Sequence, residues 1–215
     1  MTVWVDHLVV AAASLAEGVA WCEATLGVTP AAGGRHALMG THNRLLKIAS
    51  EAFPDAYLEI LAIDPDAPPP ARPRWFGLDK LDLSAGPRLI HLVARSTMLD
   101  MHRWGLINVG LNPGNPLRAS RETAHGSLSW EILVRDDGRL ECGGALPTLI
   151  QWSGRHPTAD LPDSGVTLQR LALHGVPDRA REVLRLRGAT VSAGPGPAVQ
   201  AVLAAPRGDV TLEST

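Results

Sequence analysis

Few of the usual markers of a specialised protein occur in this chain. It has two cysteines in 215 residues, Cys22 and Cys142. A single, widely separated pair defines no disulfide framework, so free thiols are expected. No stretch of about 18 apolar residues occurs. The amino-terminal Met1-Thr-Val-Trp-Val-Asp-His7 also lacks the basic flank and apolar core of an export signal. Neither export nor membrane insertion is expected, and the cytoplasm is the expected location. An excess of one charge is missing too: 20 Lys and Arg oppose 22 Asp and Glu, for a formal net charge of -2. Without a block of like charges there is no electrostatic footprint for nucleic acid or an anionic membrane. Phosphate-cradling glycine loops, a Gly-x-Ser-x-Gly elbow, paired-cysteine zinc ligands and a His-Glu-x-x-His segment are likewise absent. Small molecules remain as the expected partners. Tyrosine is nearly missing, one against six tryptophans, and indoles build core as readily as ligand pockets.

What is present reads as a globular chain. Hydrophobic residues make up 45% and charged residues 20%, which suits one large domain or two intimately paired small ones. Residues 3–11 read as a buried strand. A helix follows, with Ser14 as its cap, Glu17 three residues later, and Gly27 at its end. Gly33 and Gly34 mark a turn, and apolar runs at 43–49 and 56–63 read as strands.

The same grammar restarts at residues 87–94, where Ile90-His91-Leu92-Val93 echoes Asp6-His7-Leu8-Val9. A helix is expected over about 97–109, ending near Gly110. Strand candidates lie at 117–121, 127–134 and 145–152, with Asp136-Asp137-Gly138 as a turn and His125-Gly126 as another. Leu149-Ile150-Gln151-Trp152 stands where the first unit has Leu58-Glu59-Ile60. A shorter third restart has strands at 166–174, 198–204 and 209–214 and a helix over 177–187. The expected organisation is a βαβββ module over 1–65, a proline-rich linker over 66–86, a second module over 87–154, and a strand-helix-strand segment over 155–215. In the linker, proline denies ladder hydrogen bonds to 64–76. Trp75 and Phe76 either pin this wrap to the body or line a pocket.

Four segments carry a family resemblance: Asp6-His7-Leu8-Val9-Val10; Gly33-Gly34-Arg35-His36 with Gly40-Thr41-His42-Asn43; Tyr57-Leu58-Glu59; and residues 146–154 around Gln151. With the module grammar they resemble the vicinal oxygen chelate superfamily, in its glyoxalase-like branch. The resemblance implies an α+β fold in which repeated βαβββ modules pair into curved, half-open mixed sheets around a concave cleft. It also implies a divalent metal ion (Zn, Fe, Mn or Ni) held by His7, Glu59, His91 and Gln151. Imidazole and carboxylate suit such ions, which polarise chelated oxygens. Glu59, His36 and His42 become candidates for acid-base catalysis, and Arg35, Asn43 and Trp152 for substrate binding. If the first module paired instead with the carboxyl-terminal one, the ligand positions would be His7, Glu59, Leu168 and Glu213.

The expected activity is that of a metal-dependent lyase, isomerase or dioxygenase acting on a small oxygenated organic molecule. A metal-free protein that binds small molecules on the same fold is the alternative, and a structural module a third. A homodimer stays open.

Overall fold

Residues 3 to 10 offer apolar side chains to both faces of an extended chain, which suits a strand covered on both sides. In the computed structural model, which describes residues 2–123 and 126–214, β1 (Trp4–Ala11) is buried along all but its first residue. Helix α1 (Leu15–Leu26) follows. Ser14 Oγ accepts from the Glu17 amide at its start, and Gly27, at φ 76°, ends it. The helix lies close on the sheet through Gly18, where a Cβ would come within 2.3 Å of Ile60 Cγ2. Then come β2 (Ala31–His36), β3 (Thr41–Lys47) and β4 (Tyr57–Ile63).

The order repeats as β5 (Arg88–Arg95), α2 (Leu99–Asn108), β6 (Asn115–Thr123), β7 (Gly126–Val134) and β8 (Thr148–Ser153). The two sets form one mixed eight-stranded sheet in the order β2-β3-β4-β1-β5-β8-β7-β6. β1 and β5 run antiparallel at its centre, each parallel to the last strand of its own set. The sheet curls until its edge strands β2 and β6 approach each other across the concave face. The expected α+β architecture of paired modules around a cleft is thus present.

The remainder forms β9 (Thr167–His174), α3 (Asp178–Leu184), β10 (Thr190–Ser192), β11 (Val199–Ala205) and β12 (Gly208–Glu213), in a separate sheet ordered β10-β9-β11-β12. The alternative pairing therefore does not occur. Leu168 is buried in the apolar core, and Glu213 is exposed, accepting from Gln200 Nε2. This second sheet shares one core with the convex face of the large sheet, where Leu8, Leu58 and Leu92 meet Leu168, Leu171 and Leu203. Backbone bonds from Leu168 N to Ile48 O (2.8 Å) and from Val3 N to Leu184 O (3.1 Å) tie the layers.

The proline-rich stretch lies on the opposite, concave face. Its Trp75, Phe76 and Leu78 pack with Val9, Leu61, Val93 and Trp130. Phe76 holds a left-handed conformation at φ 57°, and the Gly77 amide bonds Gly138 O. One expected turn is displaced. Gly33 and Gly34 lie inside β2 at a register irregularity, and the chain reverses at 37–40, with Gly40 at φ 56°. His125 lies outside the described residues. No described helix is long and apolar enough to cross a membrane. Both cysteines are free, and burial pushes the Cys22 thiol up to about 12.

Candidate functional site

Strand alternation decides which residues reach the concave face. His7 on β1, Asn43 and Leu45 on β3, and Tyr57 and Glu59 on β4 all line one cavity, with His36 from β2. Trp130 and Ile132 on β7 and Ile150 and Trp152 on β8 face them, Arg121 enters from β6, and Trp75 and Phe76 close the cavity from the wrap. The cavity itself is small, about 30 Å³. It shares His36, Trp75 and Trp130 with an adjoining groove of about 550 Å³ that also presents Leu38, Met39 and Leu117.

A chain of paired groups runs through its floor. Asp6 is fully buried and accepts from three donors: His7 Nδ1 (2.7 Å), Trp152 Nε1 (2.9 Å) and His156 Nε2 (3.0 Å). Burial works against its charge, but the His156 and His7 bonds outweigh it and hold the carboxyl well below the usual range. With Nδ1 committed to Asp6, His7 turns Nε2 toward Glu59 Oε2 at 3.5 Å. Its ring stacks on Tyr57 at 4.6 Å. Burial opposes the imidazolium, yet Asp6 and Glu59 together raise its pKa to about 9. Glu59 is held at about 2, where burial is outweighed chiefly by His7. At neutral pH the pair is imidazolium and carboxylate.

Asn43 anchors the other oxygen of Glu59. Its Nδ2 donates to Glu59 Oε1 at 2.6 Å, while its Oδ1 accepts from the Gly34 amide at 2.7 Å. A Cβ on Gly33 would strike Asn43 Oδ1 at 2.1 Å, so that position on β2 takes glycine to let this amide through. His36 Nε2 lies 3.3 Å from Asn43 Nδ2, and its Nδ1 is 3.0 Å from Thr41 Oγ1. Burial lowers its pKa to about 4, so it stays neutral.

Several expected residues lie elsewhere. His91 donates from Nδ1 to Gly144 O (3.1 Å), and its Nε2 accepts from the Thr148 amide (3.1 Å). Both ring nitrogens are thereby used. Burial lowers its pKa to about 3, and Phe76 covers it at 5.4 Å between ring centroids. Gln151 points to the convex side, where its Oε1 accepts from the Leu99 amide at the start of α2 (3.0 Å). The cause is strand phase: Ile150 and Trp152 take the cleft face of β8, as Tyr57 and Glu59 do on β4. Arg35 and His42 are cross-strand partners directed away from the cavity, grouped around Asp64. The four-ligand metal set thus does not assemble. Among the described residues, no three His, Cys, Asp or Glu side chains are gathered to hold an ion.

Four polar or aromatic contributors escape a reading of the sequence: Asp6, Tyr57, Trp130 and Arg121. Asp6 adjoins His7, and alternation along β4 could have found Tyr57. Arg121 carries no local signal.

The profile of the glyoxalase-like domain family matches residues 5–187. This chain belongs to that family. Its fold is that of the vicinal oxygen chelate superfamily. No curated protein matches the chain in sequence. Among solved structures it is similar to a hypothetical protein from Staphylococcus aureus, with 12% identity and a TM-score of 0.57, covering 100% of this chain and 87% of that one. It is also similar to a methylmalonyl-CoA epimerase variant from Streptomyces coelicolor in complex with 2-nitronate-propionyl-CoA, with 17% identity and a TM-score of 0.47 over 71% and 96% of the two chains. The Mycobacterium tuberculosis methylmalonyl-CoA epimerase gives 18% identity and a TM-score of 0.42 over 69% and 85%. The span matched by the glyoxalase-like profile runs from β1 through α3 and so takes in every strand that builds the cavity.

Proposed function

We propose that this glyoxalase-like protein is an enzyme of isomerase or lyase type that moves a proton on a small carbonyl compound, with Glu59 as base and His7 as acid. The observation that carries the reading is the His7–Glu59 pair, oppositely charged, buried, and separated by 3.5 Å. That distance exceeds an ordinary charge-assisted hydrogen bond of about 2.8 Å, so a carbonyl oxygen can compete for the His7 Nε2 proton. Glu59 then loses its strongest partner and gains basicity. It takes a proton from the carbon beside the carbonyl, the C–H electron pair shifts into the carbonyl, and the oxygen is met by the proton on His7. Return of the proton to carbon gives an isomer, and loss of a β-substituent gives the lyase outcome. Asn43 and neutral His36 orient Glu59, Asp6 holds Nδ1 of His7 so that Nε2 faces Glu59, and Trp152 and Trp130 wall off water. His42 and Arg35 have no part in it.

The test is exchange of carbon-bound hydrogen into deuterium oxide, followed by proton NMR over a panel of small ketones, 2-oxo acids and thioesters. The parent should catalyse exchange with at least one class, and Glu59→Gln should lower the rate by about 10²- to 10⁴-fold, the usual contribution of a positioned base. Undiminished exchange in Glu59→Gln would defeat the proposal. A second reading, metal-free binding without turnover, is favoured by one observation: a carboxylate held at about 2 is a weak base unless ligand displaces His7. Tight ligand binding with no exchange by the parent would select that reading.

A further inference from the structure

Two side chains that line the cavity carry donors with no acceptor among the described residues. Arg121 lines it from edge strand β6, yet among the described residues no hydrogen bond or ion pair engages its guanidinium. The two carboxylates of the site are already committed, Asp6 to His7, Trp152 and His156, and Glu59 to Asn43 and His7. The guanidinium lies over β2 on the opposite edge, where a Cβ on Gly34 would come 2.5 Å from Arg121 Nη1. Glycine at 34 leaves room for the cation to bridge the mouth of the sheet. The second donor is Trp75 Nε1. Trp75 is buried, lines both the cavity and the groove, and its indole N–H finds no acceptor among the described residues. A buried donor left without an acceptor forfeits its hydration with nothing in return, so an acceptor brought by a ligand is favoured there. Two such donors on the lining of one cavity, one of them charged, favour an anionic oxygen ligand.

We infer that the cavity selects small organic carboxylates, with Arg121 and the Trp75 indole N–H receiving the carboxylate and the apolar groove beside them receiving the rest of the molecule. Size decides the orientation. A cavity of about 30 Å³ holds a group about as large as one water, such as a carboxylate or carbonyl oxygen. The groove of about 550 Å³, with Leu38, Met39, Leu117 and Trp130, holds a phenyl-sized body. A 2-oxo acid with an apolar tail offers a carboxylate to Arg121 and a carbonyl oxygen to His7, both on the lining of this cavity. The inference rests on the reading of this cavity as the working site, but its test uses binding alone and is independent of turnover.

Isothermal titration calorimetry would compare phenylpyruvate, phenylglyoxylate, 4-methyl-2-oxopentanoate and 3-phenylpropanoate with their methyl esters, on the parent and on Arg121→Gln. Arg121 is partly exposed on an edge strand, so the variant should fold, and circular dichroism confirms that it has. At least one acid should bind the parent 10-fold or more tightly than its ester. Arg121→Gln should weaken the acid by about 10- to 100-fold, the size of a lost charge-assisted contact, and leave the ester within twofold. Arg121→Lys should fall between. Equal affinity for acid and ester, an acid affinity unmoved in Arg121→Gln, or no binding of any acid at millimolar concentration would overturn the inference. Failure of Glu59→Gln to slow exchange, with the acid preference intact, would instead reject the catalytic reading and leave this one standing.

Discussion

The buried histidines pull on stability in opposite directions. His7 has its pKa raised from 6.5 to about 9. The native state therefore binds its proton more tightly, and the stabilisation is complete below about pH 6.5 and lost as pH climbs toward 9. His36 and His91 are held neutral by burial, at about 4 and about 3. Below pH 6.5 the unfolded chain binds protons that these two refuse, so stability falls in that direction as well. Glu59, lowered from 4.5 to about 2, adds to the acid loss below pH 4.5. Stability should peak near pH 6.5. The alkaline arm should amount to on the order of 3 kcal/mol by linkage, as denaturant unfolding between pH 4 and pH 9 would show. His7→Gln should flatten that arm and leave the acid arm in place. A monotonic rise from pH 5 to pH 9 in the parent would contradict the assignment.

At the scale of elements, β5 and β8 carry a histidine and an amide that hold structure together. Replacing His91 by alanine removes a ring that bonds both Gly144 O and Thr148, and leaves a void beneath Phe76. The expected cost is about 2–4 kcal/mol, visible as a lowered melting temperature, with affinity for cleft ligands nearly unchanged. Gln151 binds the first turn of α2 from the convex side. Metal analysis supplies a second check. Protein prepared without chelator or nickel chromatography should carry well under one equivalent of divalent metal. Stoichiometric metal lost on His91→Ala would reinstate the four-ligand set. The wrap over 66–86 forms no ladder, but its Trp75 and Phe76 are both anchor and wall, so the two roles open to them from the sequence coincide.

Over the whole molecule, the eight-stranded sheet has two covered faces. The carboxyl-terminal sheet and the helices bury the convex face in a core that runs from Leu8 and Leu92 to Leu168 and Leu203. A chain ending at residue 160 exposes that core and should lose cooperative unfolding and bind a hydrophobic dye. A truncated chain with a sharp, parent-like thermal transition would show that the third unit is dispensable.

Much of this architecture is legible in the residues. Ser14, Glu17 and Gly27 delimit α1, the His7 and His91 strands announce a repeat, and prolines mark the wrap, because caps, turns and periodicity are local energies. The site was legible only in part. His7, His36, Asn43, Glu59 and Trp152 share the cleft, but His91 is consumed by Gly144 and Thr148, and Gln151, His42 and Arg35 fall on other faces. Strand phase is unforgiving: one residue of offset moves a side chain from one face of a sheet to the other, and no local signal fixes that offset across a bulge such as the one at Val9 and Val10. The sequence by itself therefore determined the elements, their repetition and the family to which they belong. Only the tertiary structure decided which side chains meet, because the approach of Arg121 to Gly34 and of Asp6 to Trp152 and His156 depends on strands closing over distances that no sequence window spans.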